Sequence, residues 1–336
     1  MTSSRIVLMG DPTYFSIRGG ANPHTRTVWG RRKRVDREQA IAQWHAFART
    51  LCRFGVRVLV IPSYPKLPGL VYSANAGFVF PLDTPIPLRS KTFYLSNLLP
   101  SRAGEQPVYK KCLEQYGLCP MLVNARFEGE ADFFPAGAYY LFTYGRLERQ
   151  RFRLRFGLPP YKRVYGFRSD FTVLSELQQR VADTEIIPLE LRNEAHYHGD
   201  TVLCAFGPGR RFLLAYLDGL TPAAAACLRD LFQGDLIPLS CADAALYAAN
   251  SFTLEQSGRA YLFMPDGVSA ALQVQVRERG VEPVLVNVSE FLRKGGGAVK
   301  CMMGDLGPHE EEELSPEQRA FRQERDYRNL FGTVGI

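Results

Sequence analysis

Short apolar runs alternate with longer amphipathic stretches along the chain. Residues 5–10 (RIVLMG), 56–62 (VRVLVIP) and 76–82 (AGFVFPL) read as strands, and the apolar spacing over 37–54 and 106–116 predicts helices. The same alternation continues downstream. Strands are expected at 201–207 (TVLCAFG), 211–217 (RFLLAYL), across 251–265 (SFTLEQSGRAYLFMP) and at 298–303 (AVKCMM), with helices near 174–181, 223–231 and 268–279. The class is α/β, and the order of elements repeats although no sequence repeat is visible. After Asp305 the chain becomes acidic and then mixed in charge (LGPHEEEELSPEQRAFRQERDYRNL), with Ser315 or Pro316 as a helix start. This predicts one catalytic domain over residues 1–304 and a partly helical surface extension over 305–336, in which the acidic run 310–313 is a solvated stretch.

Composition narrows the function classes. With 336 residues, 46% of them hydrophobic and 22% charged, the chain has ample material for a packed core. No run approaches the ~18 apolar residues of a membrane span. The N-terminus MTSSRIVLMGDP lacks the apolar stretch and cleavage site of a secretory leader, so a cytoplasmic enzyme without a membrane partner is expected. The net charge of +7 comes partly from Arg31, Arg32, Lys33, Arg34 and Arg37. No recognition motif accompanies this cluster, so it is read as a solvated loop or helix start, with no nucleic-acid partner. Seven cysteines, at 52, 112, 119, 204, 227, 241 and 301, are scattered without the paired spacings of a structural zinc site. Most suit buried small hydrophobes, which leaves the question of which thiol is reactive.

Three segments carry chemistry. In KGGGAVKCMM, Gly295, Gly296 and Gly297 precede a short β-type run bearing Cys301; the glycines allow a tight turn and a close approach to a ligand, as a nucleophilic thiol in a closed pocket requires. In ELRNEAHYHGDTVLCAFG, His198 and Asp200 stand two apart and would share one side of an extended segment, an imidazole and a carboxylate placed for acid/base work near neutral pH. His196 shares that spacing and is the bland competitor; the two histidines with Asp200 also allow a metal reading, which the glycine-rich cysteine segment does not support. In ARFEGEADFFP, Glu128, Glu130 and Asp132 alternate, so an extended chain would stack three carboxylates on one side, either facing solvent or meeting a guanidinium fork.

Taken in order, FEGEAD, HGDT and GGGAVKC resemble the acidic, histidine and nucleophile segments of the guanidino-group-modifying enzymes: arginine deiminase, amidinotransferase, dimethylargininase and arginine dihydrolase. The resemblance spans roughly residues 5–304. It implies a five-bladed α/β-propeller of ββαβ units around a polar channel. Asn75, Glu130, Asp200, Asn250 and Cys301 lie 55, 70, 50 and 51 residues apart, a spacing compatible with successive blades. It further implies a cysteine-dependent hydrolase of a small guanidino substrate, with Cys301, His198, Glu130 and Asp200 catalytic and with Glu128 and Asp132 among the substrate ligands. The register of Glu128 against Glu130 stays open.

Two departures bear on the reaction. Where deiminases place an aspartate that grips the guanidinium, VYSANAGFVF offers Asn75, and Asn22 in GGANPHTR resembles the Asn-Pro segment of bacterial and cyanobacterial arginine dihydrolases. Arg168 in YGFRSD is either a clamp for the substrate α-carboxylate, as a similar segment in dihydrolase-like relatives suggests, or an ordinary salt-bridged arginine. The resemblance therefore points to arginine dihydrolase, with a deiminase giving citrulline, an amidinotransferase or a non-catalytic arginine-binding protein on the same fold as alternatives. No metal or organic cofactor is required, and a homo-oligomer stays open.

Overall fold

The computed structural model describes residues 4–181, 183–310 and 312–332. Its secondary structure follows the apolar pattern closely. Helix Arg37–Arg53 buries Ala40, Trp44, Phe47, Ala48, Leu51 and Cys52, the three-and-four spacing of one helical face. Helix Pro222–Phe232 starts where the sequence puts a cap: Thr221 accepts from the backbone of Ala224, and proline takes the first helical position.

Five three-stranded sheets occur among the described residues, all built the same way. A short first strand pairs antiparallel with the second, and the second pairs parallel with a third after a crossover. A crossover to a parallel partner needs a long connection, and a helix fills it. Two sheets belong to one compact unit, made of residues 1–15, 37–130 and 301–336. They are Met303–His309 with Ser4–Gly10 and Arg57–Ile61, and Gly77–Phe80 with Thr92–Leu95 and Cys119–Leu122. Their core includes Ile6, Leu8, Leu59, Phe93, Tyr109 and Leu306. Three sheets belong to a second unit, residues 16–36 and 131–300. These are Phe133–Ala136 with Tyr139–Tyr144 and Glu185–Glu190, Leu203–Phe206 with Phe212–Ala215 and Leu236–Pro238, and Phe252–Gln256 with Arg259–Pro265 and Val281–Val286. The second unit also carries a two-stranded hairpin, Arg151–Leu154 with Tyr161–Val164.

The sequence places the end of the catalytic domain at residue 304, but strand Met303–His309 runs straight through that position, paired antiparallel with Ser4–Gly10. Beyond it, helix Pro316–Glu324 starts as expected at Ser315, with a full capping box to Gln318. This helix is more than a loose surface addition. Arg322 donates to the Tyr116 carbonyl at 2.8 Å and pairs with Glu312 at 2.6 Å, both side chains being almost fully buried. Asp326 binds Arg57 at 2.8 Å. Of the acidic run 310–313, Glu311 lies outside the described residues, as do residues 333–336 of the extension. Among the described residues, no helix is long and apolar enough to cross a membrane.

Candidate active site

The five residues whose spacing suggested successive repeats occupy one equivalent place. Asn75 sits in the 3-10 turn Ser73–Ala76 before strand Gly77–Phe80, Glu130 in Gly129–Ala131 before Phe133–Ala136, and Asp200 in Gly199–Thr201 before Leu203–Phe206. Asn250 lies two residues before Phe252–Gln256, and Cys301 sits in Lys300–Met302 before Met303–His309. All five are buried. A polar side chain hidden at the corresponding place of every repeat is costly unless it meets polar partners, so its recurrence marks a position set by more than apolar packing.

These turns correct three local expectations. The acidic segment is not an extended strand that stacks its carboxylates: Gly129 has φ +67° and a Cβ there would lie 2.7 Å from Ala74 O and Gly77 N, so only glycine makes the turn. His198 is extended, but Asp200 already lies in the 3-10 turn that follows, so the two do not share an extended face. The cysteine likewise precedes its strand rather than lying within it.

In the first unit, Asn75, Glu128, Glu130 and Cys301 are present. The Arg102 guanidinium organises two of them. It donates to Asn75 Oδ1 at 2.9 Å, faces Glu128 at 3.8 Å and grips Glu105 at 2.6 Å. Burial works against its charge, but the carboxylates of Glu105 and Glu128 outweigh that and hold its pKa above the usual value. Because a guanidinium only donates, the amide orientation of Asn75 is fixed, with Oδ1 toward Arg102 and Nδ2 away. Asn75 Nδ2 is a buried donor with no hydrogen-bond acceptor among the described residues. Glu128 also accepts from Leu99 N at 3.3 Å, and Glu130 accepts from Asp305 N at 2.7 Å, four residues beyond Cys301.

The second unit holds Asn22, Asp132, Arg168, His198 and Asp200. Asp132 is buried among donors: Thr143 Oγ1 at 2.7 Å, Ser169 Oγ at 2.7 Å and Gly199 N at 2.9 Å. Burial raises its pKa, and the His198 charge and these donors partly offset the rise. Its bond to Gly199 pins the turn that carries His198 and Asp200. His196, the competitor, meets the Thr201 carbonyl through Nδ1 at 3.2 Å and packs against Tyr216 and Tyr247. Asn250 accepts from Ala298 N at 3.0 Å and, through its backbone oxygen, from Lys300 N at 3.1 Å, so it fixes the segment leading to the cysteine.

Asn22 donates to Gly295 O at 2.8 Å and to the Tyr197 hydroxyl at 3.1 Å, and Tyr197 donates to Gly296 O at 2.7 Å. Gly296, at φ +79°, comes so close that a Cβ would stand 3.0 Å from Asn22 Oδ1, an oxygen left without a donor among the described residues. Arg168 lies over the Tyr197 ring at 4.9 Å and donates to the Ala21 and Gly166 carbonyls. It has no carboxylate partner among the described residues, which disfavours the ordinary ion pair and leaves a buried cation suited to an anionic ligand.

No family model matches the chain. A dimethylarginine dimethylaminohydrolase of Mycobacterium tuberculosis is 28% identical over 91% of this chain and 87% of that protein. The bifunctional arginine dihydrolase/ornithine cyclodeaminase AgrE of Nostoc is 27% identical over 90% of this chain but 38% of its own length. Among solved structures, the N-terminal domain of ArgZ covalently bound to a reaction intermediate superposes with a TM-score of 0.75 at 22% identity, covering 91% of this chain and 99% of that domain. Over about nine-tenths of its length the chain is thus similar to hydrolases that act on guanidino groups. It shares the α/β fold of the ArgZ domain and corresponds in extent to one part of the bifunctional relatives. The structure adds two organising residues that sequence reasoning missed. Arg102 stands 27 positions from Asn75 in no motif. Tyr197 could have been noticed only as the neighbour of His198.

Proposed function

We propose that this chain is a cysteine-dependent hydrolase of guanidino C–N bonds whose reaction is that of an arginine dihydrolase: arginine to ornithine, carbon dioxide and two ammonia. The five ββαβ repeats are read as blades of a five-bladed α/β-propeller forming one catalytic domain. Three relatives named for reactions of arginine or dimethylarginine support a small guanidino substrate. A free thiol nucleophile suits the reducing cytoplasm.

In the proposed cycle the Cys301 thiolate bonds to the guanidinium carbon, while Glu128 or Glu130, with Asp200, holds the cation. His198 protonates the departing ammonia. Water then attacks the thioimidate-type intermediate, His198 takes its proton, and the carbon–sulfur bond breaks to give a ureido group. A second thiolate attack expels the other ammonia and leaves a thiocarbamate on Cys301. Its hydrolysis returns the thiolate and a carbamate that decomposes to ornithine and carbon dioxide. Arg168 is the clamp for the substrate α-carboxylate, and Asp132 holds the His198 turn beside the ligands.

The observation that carries the dihydrolase reading over a deiminase is Asn75, with its oxygen taken by Arg102 and its buried Nδ2 left as a donor. A neutral donor can hold the ureido oxygen, which an aspartate would repel, so citrulline stays for the second attack. Asn22 presents a complementary acceptor. Arginine labelled at the guanidino carbon tests this. Label released as carbon dioxide with stoichiometric ornithine is expected; label accumulating in citrulline would mean a deiminase. Dimethylarginine and arginine with glycine, run in parallel, separate a dimethylargininase and an amidinotransferase.

A further inference from the structure

The basic cluster after residue 30 and the two-stranded hairpin take no part in the chemistry above. Both lie in the second unit, and they meet: a Cβ on Gly30 would come 3.2 Å from the Tyr161 hydroxyl. Between them they expose Val28 (74%), Trp29 (64%), Phe152 (60%), Leu154 (92%), Phe156 (106%) and Leu158 (83%). Scattered apolar side chains at a surface are ordinary, but six on two touching loops make a patch.

The charge around that patch is one-sided. Residues 26–34 carry five cations and no carboxylate, and residues 146–163 carry seven cations with Glu148 as the single acid. The whole chain has a net charge of +7, so everything outside these two segments is net acidic. In the hairpin, Phe152 stands opposite Arg163 and Leu154 opposite Tyr161, whereas Arg153 stands directly opposite Lys162 with Arg151 beside it. Alternation puts Phe152, Leu154, Tyr161 and Arg163 on one face, with the Arg163 guanidinium over the Phe152 ring, and Arg151, Arg153 and Lys162 on the other. Like charges paired across strands are destabilising unless an anion meets them.

We propose that the hairpin 151–164 and the turn 26–34 form a docking surface for an anionic lipid bilayer. The apolar tip, Phe156 and Leu158, enters the acyl boundary, Trp29 lies at headgroup level, and the cations behind the tip meet lipid phosphates. Single-stranded nucleic acid would also attract this charge and stack on Trp29, Phe152 and Phe156. It has no use for Val28, Leu154 and Leu158, whose aliphatic groups offer no face for a base. Docking of this kind needs no spanning helix, so the absence of an apolar run long enough to span does not bear on it. The surface is independent of the hydrolase reading.

The test uses the full chain with vesicles of phosphatidylcholine alone or with about a quarter phosphatidylserine. Trp29 is a built-in reporter, since the other tryptophan, Trp44, is fully buried. Expected are co-sedimentation with the anionic vesicles, at least about tenfold stronger than with neutral ones, a blue shift of Trp29 emission, and loss of both as salt rises from about 0.1 to about 0.5 M. Arg151→Glu with Arg153→Glu should weaken binding at least about 25-fold, and Phe156→Ser with Leu158→Ser about tenfold or more, with thermal unfolding unchanged. Should a variant fail to fold, the lipid, salt and Trp29 measurements on the parent chain still decide. No binding to anionic vesicles overturns the proposal. So does a chain that binds an oligonucleotide or a second copy of itself through this patch and leaves the vesicles in suspension.

Discussion

At the residue scale, position sets the cysteines apart, since Cys301 is buried like several others but alone sits in a turn that precedes a first strand. Cys52, Cys112 and Cys204 are buried thiols whose pKa burial pushes upward, to about 11 for Cys112 and about 12 for Cys204, which keeps them protonated and inert. Cys119 and Cys241 are exposed and belong to none of the turns that precede a first strand. Cys301→Ser is therefore expected to lower the turnover of arginine by roughly a thousandfold or more, because a hydroxyl is a far weaker acid, while Cys119→Ser and Cys241→Ser keep near-normal rates. A steady-state assay of ammonia release checks this, and near-normal turnover by the Cys301 variant would remove the covalent route. Asn75→Asp deletes the buried donor and adds a third carboxylate partner for Arg102, after Glu105 and Glu128. Its products should shift toward citrulline; unchanged ornithine would mean that another residue controls the second hydrolysis. Cys301, His198 and Asn75 could be proposed from the sequence because short motifs surround them. Arg102 and Tyr197 could not, since each acts on residues distant in sequence through a contact that only folding creates.

At the element scale, most helices and strands could be read from apolar spacing and caps, because those signals are local. Three turns were misread as extended; at the acidic segment Gly129, at positive φ, overrides alternation, whereas Gly199–Thr201 and Lys300–Met302 turn without such a glycine. The C-terminal helix offers a measurable contrast between two local devices. Ser315→Ala removes a cap and should cost about 1 kcal/mol. Glu312→Gln strips the partner from a buried arginine, Arg322, and should cost about 3 kcal/mol or more. Urea midpoints of the two variants test the order; a smaller loss for Glu312→Gln would mean that the pair contributes little to holding this helix.

At the scale of the whole molecule, stability should depend on pH through buried imidazoles. Burial pushes His196 down to about 4; the Thr201 carbonyl opposes this and His24 adds to it. The unfolded chain binds that proton near pH 6.5 and the folded chain only near 4, so the stabilisation is complete above about 6.5 and is lost as pH falls toward 4. His24 and His309, also lowered chiefly by burial, act with the same sign. Between pH 7 and pH 5 the His196 share is on the order of 2 kcal/mol, so His196→Gln should flatten the pH dependence of the urea midpoint. An unchanged slope would assign the acid sensitivity to other groups.

What the sequence alone determined is the set of local signals: the α/β alternation, the caps, the three motifs in order and the recurrence of a polar residue near the start of each repeat. Such signals survive because each depends on a few neighbouring residues. Tertiary structure decided the rest. Strand Met303–His309 finds Ser4–Gly10 some three hundred positions away, Arg102 turns the Asn75 amide, and Tyr197 with Asn22 grips the glycines ahead of Cys301. Each of these arises where chain segments remote in sequence are packed together, and a buried polar atom must then find whatever partner that packing supplies.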